Sequence, residues 1–355
     1  MAEGTGKSFS IQWHITHKCQ QRCQHCYIRK DSQEYDYSEL DLRDCLHILD
    51  DAFITVTEKF RKNLYIAFSG GDPLLCGHFF DLMTAAKERG IKIGVMANPH
   101  LITDRIARKL RDYNLRGFQF SIDGSEITHD SIRQKGSYKK TAEAIKTLLA
   151  NGVPVDIMAT FSRFNVKDMP NIVDFCCEQG VRLLSFDLFI PNSREDIKEM
   201  LSPFEVRSLM LDFKNVEDQM KGSTSLIFGR KNNLWSLLYE ELGLESAPLK
   251  ANRTATVICA GCSIGISSIS VLPDGTVYAC RRLPIAIGKF PEHNLEEVFF
   301  GTKLNFFRQE EKIEECAECS LFKICRGCRA AAYMVNGDYF SKDPTCWKHH
   351  NPARI

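Results

Sequence analysis

The chain has 355 residues, enough for about two domains, and its 44% hydrophobic content is sufficient for packed cores. Its 46 basic and 45 acidic residues leave a net charge of +1, which argues against a nucleic-acid partner because there is no overall basic field to hold phosphates. No apolar run approaches the ~20 residues of a membrane span, and the N-terminus lacks the layout of a signal peptide. We therefore expect a cytoplasmic protein with no membrane partner.

Six apolar runs in the first half of the chain predict β-strands, at residues 9–16, 63–69, 91–97, 117–122, 153–161 and 183–190. Amphipathic helices are predicted between them. In the first of these, Leu42, Leu46 and Leu49 recur at helical spacing and Ser38 is the expected N-cap. Because the strand and helix units repeat about every 30 residues, we predict an α/β fold with a parallel sheet, of either the open-barrel or the Rossmann type.

The pattern changes after Pro191. Residues 192–255 are predicted to be a charged, helical connecting segment, and from residue 256 the chain continues with a hairpin and cysteine-rich loops. In the hairpin, Ile269 and Val271 alternate with serines before a turn at residues 273–275. The expected domains are therefore residues 1–191, 192–255 and 256–355.

The chain has 15 cysteines, an odd number, and most of them lie in two clusters. A secreted protein with many cysteines would suggest disulfides, but this long chain shows no export signal. We therefore expect metal or iron–sulfur ligation rather than a disulfide framework.

Three of these cysteines lie on the loop after the first predicted strand. Cys19, Cys23 and Cys26 are separated by three and two residues, a spacing that lets thiolates hold three irons of a [4Fe–4S] cube and leave the fourth open. In a parallel βα barrel this loop lies at the C-terminal face, where active sites form. A zinc site completed by His17 or His25 is the alternative.

Polar residues follow the next three predicted strands at the same edge of the sheet. Gly70 and Gly71 allow close approach of backbone to a ligand, and Asp72 is an acceptor for an ammonium group. Asn98 ends the third strand, and residues 121–124 end the fourth. Each of these loops alone could be an ordinary turn, but their shared position favours a binding site.

These motifs resemble the radical S-adenosylmethionine (SAM) enzymes, whose mark is the three-cysteine spacing, and the resemblance covers residues 9 to about 190. It implies a partial (β/α)6 TIM-like barrel in which the open iron chelates the amino and carboxylate groups of SAM. The implied SAM contacts are Gly70, Gly71, Asp72 and Pro73 at the amino group, Asn98, Ser121 and Asp123 near the ribose or methionine, and Arg133 near the carboxylate. The family more often has Glu where this chain has Asp72.

The resemblance also implies the mechanism. The reduced cluster passes an electron to the sulfonium of SAM, and the resulting 5′-deoxyadenosyl radical abstracts a hydrogen atom from the substrate. An electron donor such as flavodoxin or ferredoxin is the expected partner, and activity is expected only under anaerobic conditions. No catalytic base is assigned.

The second cysteine cluster is similar to the SPASM extension, which follows many radical SAM enzymes and carries auxiliary iron–sulfur clusters. The resemblance implies Cys262, Cys280 and Cys328, with Cys259 as fourth ligand, for the first auxiliary cluster. It implies Cys316, Cys319, Cys325 and Cys346 for the second. With the barrel cluster this makes three [4Fe–4S] clusters. The four closely spaced cysteines alone would also fit a zinc ribbon.

Three functions remain open at this stage. The leading hypothesis is a maturase that modifies a ribosomally made peptide, by cross-link or thioether formation. The alternative is an enzyme of haem or haem d1 biosynthesis that acts on a tetrapyrrole, because those enzymes also have the triad near the N-terminus. A non-catalytic electron carrier is disfavoured by the SAM-binding loop at residues 70–73.

Two sequence features bear on the substrate. Eighteen residues precede Cys19, so leader recognition would need a separate leader-binding protein or the 192–255 segment. Arg281 and Arg282 follow Cys280, where sulfatase maturases have Asp, which disfavours that activity. These two arginines, with Arg326 and Arg329, are expected to tune a cluster, to bind carboxylates or to lie in solvent.

Overall fold

The computed structural model describes residues 8–28, 38–244, 261–313 and 315–348, which form two compact units. Described residues within Met1–Phe120, Arg133–Val155 and Ser263–Gln309 belong to the first unit. Those within Ser121–Ile132, Asp156–Cys262 and Glu310–Ile355 belong to the second.

The described part of the chain contains ten strands: β1 Ser8–His14, β2 Asn63–Ser69, β3 Lys92–Met96, β4 Gly117–Ser121, β5 Val155–Phe161, β6 Leu183–Leu188, β7 Ile227–Phe228, β8 Ser268–Val271, β9 Thr276–Cys280 and β10 Leu283–Lys289. Its helices are α1 Leu42–Ile54, α2 Phe79–Glu88, α3 Asp104–Arg111, α4 Glu126–Ile132, α5 Ser137–Ala150, α6 Met169–Gln179, α7 Pro203–Gln219, α8 Trp235–Glu241, α9 Leu295–Phe300, α10 Thr302–Phe306 and α11 Arg329–Asn336. All six predicted strands are present, and each end differs from the prediction by at most two residues.

The first unit is built on parallel strands. β1 pairs in parallel with β2 on one side and with β8 on the other, and β3 and β4 continue the parallel order beyond β2. β9 and β10 extend the β8 side in antiparallel order, which confirms the predicted hairpin. Because parallel strands end at the same edge, the loops after β1, β2 and β3 lie at one edge of this sheet.

One local prediction in the first unit is wrong. α1 begins after Asp41, whose side chain accepts a hydrogen bond from Asp44 N, and not after Ser38. Asp41 directly precedes the first helical residue, where a carboxylate oxygen reaches the unpaired backbone N–H groups of the first turn. Of the predicted stripe, Leu49 is buried and Leu42 and Leu46 are half-buried, and the buried face is completed by Cys45, Ile48 and Ala52.

The core of the first unit includes an aromatic cluster. The ring of Phe9 in β1 lies 5.5 Å from Phe60 and 5.3 Å from Phe299 in α9, and Phe60 and Phe299 are 4.9 Å apart between centroids. Such tilted and edge-on pairs add to the stability from burial. The cluster fixes one face of β1, so the polar residues of the strand face the other side.

The second unit has its own parallel strands, β5, β6 and β7. The two-residue strand β7 was too short for the sequence pattern to reveal. Phe186 of β6 packs against Phe213 of α7 and Trp235 of α8, with centroid distances of 4.9 Å and 5.8 Å. The segment predicted as a connection therefore supplies core residues.

Crossing a membrane requires a long, apolar helix, and the described residues contain none.

Candidate functional site

The three-cysteine loop follows β1 in the first unit. Cys19, Cys23 and Cys26 are all half-buried, and Cys26 N donates to Cys23 O at 3.2 Å, which closes a turn between them. Cys19 Sγ accepts hydrogen bonds from Gln21 N at 3.4 Å and from Asn98 Nδ2 at 3.2 Å. Donors already directed at sulfur suit a thiolate ligand, so this loop fits an iron–sulfur cluster.

Burial has the largest effect on the pKa of two of these thiols. Desolvation raises the pKa of Cys19 and of Cys26, and the Arg133 guanidinium acts in the opposite direction on the pKa of Cys26. Arg133 Nη1 also donates to Cys23 Sγ at 3.7 Å. Metal coordination deprotonates a thiol outright, so buried thiols of this kind remain competent ligands.

The glycine loop after β2 is bound directly to the cysteine loop. Gly71 N donates to Thr16 O and Asp72 N donates to Lys18 O, each at 2.8 Å. Gly70 has φ +143°, and a Cβ there would lie 2.1 Å from Thr16 O. Only glycine tolerates this approach, which holds residues 70–72 against the residues that precede Cys19.

Asp72 is fully buried in this loop. Its Oδ1 accepts a hydrogen bond from Leu74 N at 3.2 Å, at the start of the 3-10 turn Pro73–Leu75. Among the described residues its buried Oδ2 has no well-formed hydrogen bond. Burial raises the pKa of the carboxyl to about 6, against smaller opposing effects of Leu74 N, the Gln20 side chain and Asn98 N. A buried acceptor without a partner is costly, so this oxygen is suited to a donor supplied by a ligand.

The other predicted SAM contacts fall in both units. In the first unit, Asn98 and Arg133 donate to the cysteine sulfurs, as described above. In the second unit, Ser121 is half-buried at the end of β4, and Asp123 is fully buried. Asp123 Oδ1 accepts a hydrogen bond from Thr160 N at 3.0 Å, so one of its oxygens already serves the protein backbone.

A polar network on β1 was missed in the sequence. Gln12 Oε1 accepts from Arg281 Nη1 at 3.0 Å, and Gln12 Nε2 lies 3.4 Å from the hydroxyl of Tyr27, the residue after Cys26. Burial and the Arg281 charge lower the pKa of His14 to about 3. The Arg282 guanidinium carbon lies 4.7 Å from the Tyr27 ring centroid. Alternation of polar Gln12 and His14 with buried apolar residues in β1 was the available signal.

In the second unit, four cysteines line one cavity, together with two leucines of the connecting segment and the cationic residues Arg326 and Lys348. The four are Cys316, Cys319, Cys325 and Cys346. Cys325 Sγ accepts hydrogen bonds from Asn233 Nδ2 at 3.2 Å and from Gly327 N at 3.4 Å. Four thiols around one cavity supply the donor chemistry that a cubane cluster requires.

The remaining predicted ligands are distributed as follows. In the second unit, Cys262 N donates to Cys325 O at 3.1 Å, and Cys328 N donates to the buried Asp343 at 2.6 Å. Cys280 ends β9 in the first unit. Cys259 lies outside the described residues.

Among the residues that the structure describes, no three His, Cys, Asp or Glu side chains converge as the ligands of a single metal ion would.

Comparison with known proteins identifies two domains. The Radical SAM superfamily matches residues 13–176, and the iron–sulfur cluster-binding domain SPASM matches residues 262–320. The AdoMet-dependent heme synthase of Methanosarcina barkeri is 25% identical over 95% of each chain. The mycofactocin maturase MftC of Mycobacterium tuberculosis is 24% identical over 99% of this chain and 86% of its own.

The fold is shared with Streptococcus suis SuiB bound to S-adenosylmethionine, with a TM-score of 0.73, 17% identity, and coverage of 96% of this chain and 77% of that one. The predicted fold class, parallel strand and helix units followed by a small cysteine-rich SPASM domain, is thereby confirmed. The chain is an enzyme of the radical SAM superfamily with a C-terminal SPASM domain.

Proposed function

We propose that this enzyme cleaves SAM reductively and abstracts a hydrogen atom from a tetrapyrrole that bears carboxylate side chains. The observation that carries the proposal is the arginine pair Arg281 and Arg282, which lies over Tyr27, the residue next to Cys26. The full-length similarity to a heme synthase supports the same substrate class.

In the proposed site, Cys19, Cys23 and Cys26 hold the first [4Fe–4S] cluster. The cluster, when bound, supplies the electron that splits SAM into methionine and a 5′-deoxyadenosyl radical. Asp72 Oδ2 accepts from the SAM ammonium group, and the Gly70–Gly71 backbone allows the close approach. Asn98 and Arg133 stabilise the thiolates by donating hydrogen bonds to sulfur. The proposed external reductant is flavodoxin or ferredoxin.

Two auxiliary clusters complete the proposed cofactor set. Cys316, Cys319, Cys325 and Cys346 hold one of them, in the cavity that they line. The resemblance to SPASM enzymes assigns the other to Cys262, Cys280 and Cys328, with Cys259 as fourth ligand. Anaerobically reconstituted protein would then contain about twelve irons.

Asp72 gives a test of SAM recognition. Asp72→Ala should weaken SAM binding about tenfold, because a charge-assisted hydrogen bond is lost. Asp72→Asn is a second variant of nearly the same shape. Its amide oxygen keeps the hydrogen bond from Leu74 N, but the negative charge is lost, so this variant tests the charge alone. Both variants should weaken binding in anaerobic calorimetry while iron content stays at the wild-type level. Wild-type affinity in both would assign the binding to the backbone of residues 70 and 71.

The arginine pair explains how the chain would select its substrate. Two guanidinium groups beside the cysteine loop form a cationic site, and carboxylates are the groups that Arg binds in bidentate geometry. Gln12 holds Arg281 from β1, so this cation has a fixed position. The side-chain carboxylates of a porphyrin fit such a site.

Substrate binding by the arginines is testable. Arg282→Gln should raise the dissociation constant of an iron coproporphyrin about tenfold, because one charge-assisted contact is lost. Arg105→Gln, on the exposed surface of α3, removes an equal charge elsewhere and should leave the constant unchanged. Binding is measured by the change in porphyrin absorbance. Equal affinity in wild type and Arg282→Gln would refute the proposed carboxylate site.

Turnover decides the substrate class. Reduced enzyme with SAM and the iron coproporphyrin should produce 5′-deoxyadenosine together with a chemically altered porphyrin, detected by mass spectrometry. An inert porphyrin, with a precursor peptide consumed instead, would overturn the tetrapyrrole proposal.

The second candidate is peptide maturation, the function ranked first on sequence alone. It is favoured by the similarity to MftC, which spans 99% of this chain. In this case the peptide encoded beside the gene should become lighter by about two hydrogens, the change expected for a new cross-link. A separate leader-binding protein is then the proposed additional partner.

A further inference from the structure

We infer that Asn233, in the segment between β7 and α8, sets the reduction potential of the cluster held by Cys316, Cys319, Cys325 and Cys346. This inference rests on the ligand set proposed above. Asn233 lies outside the residues matched by either domain family, and its Nδ2 donates to Cys325 Sγ at 3.2 Å.

The segment that carries Asn233 is part of the wall of the cysteine cavity. Leu234 and Leu237 line the cavity beside the four cysteines. The next turn of α8 is attached to the C-terminal residues, because Trp347 Nε1 donates to Glu241 at 3.0 Å and Lys348 Nζ donates to Glu240 at 2.8 Å. The helix that directly follows Asn233 is therefore fixed beside the cysteine cavity.

The conformation of Asn233 is also fixed. Its carbonyl oxygen accepts from Ser236 Oγ at 2.8 Å, in the first turn of the following helix. Its neighbour Asn232 points elsewhere: Nδ2 donates to Asp187 Oδ1 at 3.2 Å, and Oδ1 accepts from Leu234 N at 2.9 Å. Of these two adjacent asparagines, Asn233 contacts the cysteine site, and Asn232 forms a side-chain turn with Leu234 before the helix.

The hydrogen bond has a defined electrostatic effect. Reduction adds an electron, so negative charge on the sulfurs grows and an N–H donor stabilises the reduced cluster more than the oxidised one. Removing the donor should therefore lower the potential. Asn233 is thus a positioning and tuning residue, since it acts through a cluster ligand and not on the substrate.

The test compares Asn233→Ala and Asn233→Asp with Asn232→Ala. In redox titrations followed by electron paramagnetic resonance, Asn233→Ala should lower the ratio of reduced to oxidised cluster about tenfold at the wild-type midpoint, a shift of ~59 mV for one electron. Asn233→Asp has nearly the same shape but places a negatively charged carboxylate oxygen beside the sulfur in place of the N–H donor. The cluster potential in this variant should therefore fall further. Asn232→Ala should keep the wild-type potential. If Asn233→Ala fails to fold, the Asp variant decides alone.

The titrations use full-length protein in which Cys19, Cys23 and Cys26 are Ala, so that auxiliary signals are read alone. Cys325→Ala in this background identifies the signal of the second auxiliary cluster by its loss. If no signal is lost, the ligand set is wrong and the inference falls with it. If the signal is lost in Cys325→Ala but both Asn233 variants titrate as wild type, the ligand set holds and the role of Asn233 is refuted.

Discussion

Replacing Cys19, Cys23 and Cys26 together by Ala is expected to abolish reductive cleavage of SAM and to remove about four of about twelve irons. The three thiols lie on one loop, and the sulfurs of Cys19 and Cys23 accept hydrogen bonds from Asn98 and Arg133, as cluster ligands would. No other described cysteine is proposed for this cluster, so the loss should be complete.

The measurement is iron and acid-labile sulfide content after anaerobic reconstitution, with 5′-deoxyadenosine formation under dithionite. Cys177→Ala is the matched control, because Cys177 is another half-buried cysteine that belongs to none of the proposed ligand sets. It should keep full iron content and cleavage. Tightly bound zinc without labile sulfide in the wild-type protein would contradict the cluster assignment.

Gly70→Ala is expected to destabilise the first unit by at least ~3 kcal/mol, because strained backbone costs ~1–3 kcal/mol and displaced hydrogen bonds add about 1 kcal/mol each. The new Cβ would overlap Thr16 O, the acceptor of the hydrogen bond from Gly71 N. Iron binding by the adjacent cysteine loop should fall in parallel.

Substitutions at two other glycines separate the contribution of backbone strain from that of the overlap with Thr16 O. Gly90 has φ +68°, and no described residue lies near a Cβ there, so Gly90→Ala should cost only the conformational strain of about 1–2 kcal/mol. Gly77 has no positive φ and no close neighbour among the described residues, and Gly77→Ala should change stability by about 0.5 kcal/mol or less. Stability is measured by denaturant unfolding of anaerobic protein. If Gly70→Ala is no worse than Gly90→Ala, the close packing of the two loops is not needed for stability.

Local patterns in the sequence were sufficient to predict the strands of the first half of the chain and its family. Apolar runs predicted all six strands of the first half, and the spacing of Cys19, Cys23 and Cys26 identified the family, because both signals lie within a few neighbouring residues. The turn at 273–275 was equally local. The cap of α1 was wrong because several polar residues precede the helix, and which one meets the first N–H groups depends on the path of the chain.

Only the tertiary structure decided which distant residues surround each site. Gln12 meets Arg281 across 269 positions, and Asn233 meets Cys325 across 92. Neither pair has a periodic or spacing signal, because hydrogen bonds between side chains of separate elements depend on strand register and helix placement. The sequence by itself predicted the ligands and determined the family whose chemistry they favour, whereas folding determined the donors and cations around them.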